Sequence, residues 1–215
     1  MNKFISIVFI SCICLSAQAS IISVSQGSFV GAHSESFESF TNQTHYTSES
    51  ILGGNATMSS GNNTHSGNYL ISDSANWNIY GTTTSWVGAI PQDGNQFAVL
   101  FGLGFINIDF GFNANSFGGY FADSYLFFDT RFDFFDSSNN LLQSFSMDLQ
   151  SAAGELNWVG FMSDSYFSSV KITGVEVVMD ALKAGSVTTV PAPMTWLFLV
   201  LALAGLGFSK VKKQF

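Results

Sequence analysis

Asp129, Arg131, Asp133 and Asp136 form the densest group of chemically active side chains in the chain. On an extended backbone, positions 129, 131 and 133 share one face. Two carboxylates then flank a guanidinium, and an ion-paired, water-facing surface is the plain reading. Paired carboxylates can cleave glycosidic bonds when they face each other about 5–9 Å apart. Residues four apart on one strand stand about 13 Å apart, too wide for that reaction. Asp136 and Asn139 offer oxygen ligands at a turn, the donor type calcium takes, without the spacing of an EF-hand loop. Beyond that candidate calcium, no cofactor is expected.

Other chemistry is sparse. His33, His45 and His65 have no second histidine or cysteine at zinc spacing and read as loop residues. Cys12 and Cys14 both lie in the leading apolar run, so the body has no thiolate for a disulfide or a metal. There is no G-x-S-x-G elbow and no P-loop, and Gly102-Leu103-Gly104 lacks the third glycine of a dinucleotide fingerprint. No catalytic residue is assigned, and an enzyme is not the expected reading. Trp77, Tyr80, Trp86, Tyr120, Tyr125 and Tyr166 could stack on sugar faces, although core packing is the favoured reading of each.

The elements that would position these residues are strands. Residues 21–96 are rich in Ser, Thr, Asn and Gly, with short apolar pieces at Ser28–Val30, Phe37–Phe40, Tyr69–Ile71, Trp77–Tyr80 and Trp86–Val87 that read as short strands between turns. The run from Phe97 to Phe110 predicts one strand buried on both faces, or two strands, with a bulge or close approach at Gly102 and Gly104. From Leu126 to Asp136, Phe128, Thr130, Phe132 and Phe134 alternate with the charged face. The turn Asp136–Asn140 then predicts a hairpin, with Leu141, Gln143, Phe145, Met147 and Leu149 on one side of its second strand. Further strands are expected at Trp158–Met162 and Ser169–Met179, broken at Ser163–Ser165 and Thr173–Gly174. Many short strands without a helix in the body predict an all-β fold, a jelly-roll-like β-sandwich over residues 20–182.

Charge narrows the partners. Between Ser20 and Thr189 there are three basic side chains (Arg131, Lys171 and Lys183) against fifteen acidic ones, a net of −12. Such a body repels nucleic acid, so no nucleic-acid partner is expected.

The two ends read as addresses. Lys3, an apolar stretch from Phe4 to Leu15, and the small-x-small tripeptide Ala17-Gln18-Ala19 predict a signal peptide over 1–19, cut after Ala19. The Sec machinery and signal peptidase are the implied partners. At the other end, 183–190 is a spacer, and Val190-Pro191-Ala192-Pro193 precedes the apolar segment 194–211. That segment would reach about 27 Å as a transmembrane helix, just enough for a hydrocarbon core. Lys210, Lys212 and Lys213 would hold its end in the cytoplasm.

A Pro-x-Pro element, one short apolar helix and a terminal basic cluster make residues 191–215 resemble the PEP-CTERM sorting signal of Gram-negative bacteria. The usual middle glutamate is replaced by Ala192. The resemblance implies an exosortase that cuts near Val190–Pro193. The body would first stand in the periplasm on an inner-membrane intermediate, and would then be secreted or moved to the cell surface. Phe134-Phe135-Asp136, Leu141-Leu142 and Trp158–Asp164 are also similar to the β-sandwich bodies that precede such signals, which resemble carbohydrate-binding modules. The expected function is thus an exported surface or extracellular-matrix protein, with extracellular polysaccharide as candidate ligand. A secreted glycoside-active hydrolase and a permanently anchored periplasmic binding domain stay open as alternatives.

Overall fold

A computed structural model describes residues 20–61, 68–80, 86–123, 128–150 and 153–187. The expected signal peptide with Ala17 and Ala19, the Val190–Pro193 element, the helix expected over 194–211 and Lys210, Lys212 and Lys213 lie outside the described residues, as do His65 and Tyr125.

Beside two short 3-10 turns at Gln26–Ser28 and Leu52–Gly54, the described chain is mostly strand, as its alternation predicts. In order these are β1 (Ile21–Ser23), β2 (His33–Glu35), β3 (Thr44–Tyr46), β4 (Ser48–Ile51), β5 (Ala56–Gly61), β6 (Tyr69–Asp73) and β7 (Asn78–Tyr80). They continue with β8 (Trp86–Gly88), β9 (Gln96–Leu100), β10 (Leu103–Ala122), β11 (Thr130–Phe135), β12 (Leu141–Met147), β13 (Asn157–Val175) and β14 (Val178–Gly185). Twelve of them form one antiparallel sheet, and β7 and β8 form a separate hairpin. No described helix is long and apolar enough to cross a membrane.

Two long strands, β10 and β13, organise this sheet. They pair with each other from Leu103↔Val175 to Phe121↔Asn157, with register shifts between Asp109, Ala114 and Ser116. Bulges of this kind bend a strand. On one side of the bend the order is β4-β5-β10-β13-β11-β12; on the other, β14, β9, β6 and β3 follow β10, and β1 flanks β13. The two halves face each other across a core of phenylalanines, in a sandwich-like arrangement. Rings 110, 117, 121, 132, 161, 134 and 167 touch in that sequence and close back on Phe110, with centroids 5.0–6.3 Å apart. All of these contacts are edge-on or tilted, the geometry that the aromatic quadrupole favours.

Local readings fare unevenly. The Phe97–Phe110 run divides into β9 and β10 at Gly102, whose φ of 78° suits glycine. The 136–140 hairpin turn forms as expected: Asp136 accepts from the Ser138 and Asn140 N–H groups, and Asn139 takes a left-handed φ of 61°. The breaks expected at Ser163–Ser165 and Thr173–Gly174 do not occur. Ser163–Ser165 stays extended because it lies where the partner strand bulges, and the chain turns at Glu176 instead. No strand forms at Phe37–Phe40. The Glu35 carboxylate accepts from the N–H groups of Phe37 and Leu52, and Phe37 turns into the core at φ 61°. Residues 183–185, expected in the spacer, continue β14: Lys183 and Ala184 pair with both β2 and β10.

Asp133 lies on the charged face as expected but is buried, held by the Arg131 Nε at 2.7 Å and by the Ser144 hydroxyl. Two further buried aspartates tie loops to the sheet. Asp180 accepts from the N–H groups of Gln92 at 2.6 Å, Asp93 at 2.9 Å and Ala181 at 2.6 Å. Asp123 accepts from the Leu149 N–H at 3.2 Å, and its Oδ1 has no partner. Burial pushes both carboxyls up to about 6.

A carboxyl raised on folding contributes stability that is fully present below about pH 4 and lost as pH rises through about 6. Asp123→Asn should therefore leave Tm unchanged at pH 4 and raise it by about 2–4 °C at pH 8. Thermal unfolding at the two pH values tests this, and an equal shift at both would contradict it.

Candidate functional site

The half-sheet containing β9 and β14 is buried on both faces, so its strands are apolar at successive positions. Its inner face meets the phenylalanine core. Part of its outer face, with Leu70, Phe97, Val99, Ala122 and Val178, is covered by the β7–β8 hairpin through Ile79. Trp77 packs half-buried against this cluster, and its buried indole N–H has no partner.

Beyond the hairpin, the same outer face carries a strip of aromatic rings. The β10–β13 register sets Tyr120 opposite Trp158 and Gly118 opposite Gly160. All four point to one side, because side chains on a strand repeat every two residues. The glycines leave room, and the indole of Trp158 lies down over them. A Cβ on Gly160 would come within 2.9 Å of Trp158 Cζ2 and Nε1, and one on Gly118 within 3.2 Å of Cη2. The Trp158 Nε1–H donates to the Val24 carbonyl at 3.2 Å, which fixes the ring's rotation. Phe29 and Tyr120 stand near-perpendicular to it, with centroids 5.2 and 5.4 Å away. Lys183, opposite Gly118 on β14, adjoins the Phe29 end of the strip. All three rings are half-buried, so a π-surface held by backbone contacts keeps part of its area in water. Rings of this kind stack on the apolar faces of sugars, and the Tyr120 hydroxyl and the Lys183 ammonium are hydrogen-bonding groups suited to hydroxyls.

The half-sheet containing β4, β5, β11 and β12 turns a polar face outward. One cross-strand row runs Ser48, Ser59, Asn107, Lys171, Asp133 and Ser144. The Lys171 ammonium lies 4.0 Å from the centre of the Phe105 ring, and the Asn107 amide donates to Asp109 at 2.7 Å. A shallow depression of about 240 Å³ beside Asn55, Thr57 and Asp109 ends this face.

The residues singled out in the sequence separate in space. Asp129 is exposed and lies outside β11, whereas Arg131 and Asp133 form an ion pair. Asp136 spends its oxygens on Ser138 and on the backbone and amide of Asn140; these bonds, led by the Asn140 amide, hold its carboxyl below the usual range. They make it a turn residue, and no cluster of three metal-ligating side chains occurs among the described residues. His33 packs on Phe112 and His45 on Phe101. Tyr80 and Trp86 are paired in the backbone register of the β7–β8 hairpin, and Tyr166 is exposed at the bend of β13. Among the sugar-stacking candidates Tyr120 joins the strip. Trp158 and Phe29 were missed because the signal is long-range: W-x-G in one strand facing G-x-Y in another.

No family model matches the chain, and no curated protein matches it. Among solved structures, a family 6 carbohydrate-binding module is similar over 54% of this chain and 93% of its own, with a TM-score of 0.29 and 12% identity. A DUF4465 family protein from Bacteroides caccae is similar over 75% of this chain and 99% of its own, with a TM-score of 0.38 and 12% identity.

Because only Trp158 atoms crowd Gly160 this closely, Gly160→Ala should lift the indole off the sheet. The expected result is weaker near-ultraviolet circular dichroism and a red-shifted tryptophan emission, with a stability loss of about 1–3 kcal/mol. Unchanged spectra would mean that the ring does not rest on the glycines.

Proposed function

We propose that this chain is a non-enzymatic surface protein that binds extracellular polysaccharide through the Tyr120–Trp158–Phe29 strip. The single observation that carries the reading is the Trp158 indole, laid on Gly118 and Gly160 and flanked by two further rings. Such a surface is rigid before a ligand arrives, so little conformational freedom is lost on contact. The acidic body suits a neutral or weakly charged glycan, with Lys183 the basic group beside the strip.

In this reading the jelly-roll-like sandwich is exported by the Sec machinery and freed of residues 1–19 by signal peptidase. It is held in the inner membrane by segment 194–211 and then processed by an exosortase-like enzyme near Val190–Pro193. The geometry of the body's ends supports that route. Ser20 sits beside Asp164 on β13, and Val187 exchanges hydrogen bonds of 2.7 Å in both directions with the Asn115 side chain on β10. Those strands are neighbours, with Ser116 opposite Met162, so both ends leave from the bend where the half-sheets join. A leader and a membrane tail would thus emerge on one side of the body.

Affinity electrophoresis in gels containing the producing cell's exopolysaccharide tests the ligand. Trp158→Ala should weaken retardation roughly three- to tenfold, while Tyr166→Ala, far from the strip, should not. Equal retardation of both variants and the parent would refute the strip as the binding surface. For the route, intact mass of the mature protein should lack both the leader and the basic C-terminal cluster; a chain retaining Lys210, Lys212 and Lys213 would instead be permanently anchored.

A further inference from the structure

Strand β1 is short and lies along an edge, yet it is held at several points. Ile21, Ile22 and Ser23 pair with Ser163, Met162 and Phe161 of β13, and the Ile21 side chain is buried in the core. The Ile21 N–H donates to Gln143 Oε1 on β12 at 3.1 Å. Just before it, the Ser20 nitrogen lies 2.9 Å from Asp164 Oδ1. The Asp164 N–H returns a bond to the Ser20 carbonyl at 3.4 Å, and the Ser165 hydroxyl donates to the same Oδ1 at 3.2 Å. An exposed carboxylate is thus aimed at one backbone nitrogen, the atom that cleavage after Ala19 would release.

We propose that the amino group created at Ser20 docks on Asp164 as an ion pair, so that removing the leader tightens β1 onto the sheet. The proposal rests on the export reading. Hydrolysis of the Ala19–Ser20 bond consumes one water and leaves a carboxylate on Ala19 and an amine on Ser20, which takes up a proton. Before the cut, this nitrogen is a neutral amide with a single hydrogen. After it, the same position holds an ammonium with three donors, and a hydrogen bond from a neutral amide to a carboxylate becomes an ion pair. The elements touching Ser20 and Ile21 contribute Asp164, Ser163, Ser165 and Gln143, of which Asp164 carries the charge. An opposite charge at this distance favours the protonated amine. The precursor has only the single amide hydrogen bond at this position, a weaker hold that suits a chain that has to cross the membrane unfolded.

The test uses the full chain, exported by a Sec-competent host, with its leader intact at synthesis. Mass spectrometry first identifies the new amino terminus. The terminal amine is then titrated by NMR after ¹³C-methylation. In the parent its pKa should lie roughly half a unit above the ordinary value of about 7.7–8.0, and Asp164→Asn or high salt should return it to that range. Amide exchange in β1 should be several-fold faster in Asp164→Asn, and in a precursor that signal peptidase cannot cut. A mature chain beginning elsewhere than Ser20 would sink the cleavage reading and this proposal together. A chain beginning at Ser20 whose amine titrates identically in parent and Asp164→Asn would overturn the ion pair and leave the export reading standing.

Discussion

The fold depends on one constraint: β10 and β13 are hydrogen-bonded to each other along nearly their whole length and bend together. Because both half-sheets grow from the same pair, their facing sides are brought into register by covalent continuity. The ring of phenylalanines then fills the space between them. Phe110, Phe117 and Phe121 come from β10, Phe161 and Phe167 from β13, and Phe132 and Phe134 from β11. The contacts of Phe121 with Phe132, and of Phe161 with Phe134, cross from one half-sheet to the other. Large flat rings suit this role because each buries 150 Å² or more and gains further from edge-on contact.

The same bend accounts for the distribution of surfaces. One half-sheet keeps a polar outer face, and alternation is clean there: Phe132 and Phe134 point in while Arg131 and Asp133 point out. The other half is covered on its outer side by the β7–β8 hairpin, and where that cover stops the aromatic strip begins. The strip exists because glycines at 118 and 160 fall opposite each other, which leaves a flat floor of backbone. A side chain at either position would push the indole away.

Charge is used as an anchor as well as a coat. Asp180 and Glu35 hold loop N–H groups that have no strand partner, and buried backbone donors are costly to leave unmade. Their cost is desolvation, which shows in the raised carboxyl of Asp180. Asp136, half-buried and fully occupied by its turn, moves in the opposite direction.

Much of this architecture can be read from local pattern. Alternation at 130–134, the Asp136–Asn140 turn, the glycine break at 102 and the strand class of the body are short-range facts, set by side-chain period and backbone freedom. The continuity of β13 through Ser163–Ser165 is not, since a polar stretch reads as a turn until a bulged partner strand holds it extended. Neither are the burial of Asp180, the meeting of Ser20 with Asp164, or the strip at Trp158. Each joins residues far apart in the chain, such as 24 with 158 and 118 with 160. Local sequence determines which way a side chain faces along its own strand. Which residue lies across from it is decided by strand pairing, and pairing is settled only when the whole core closes.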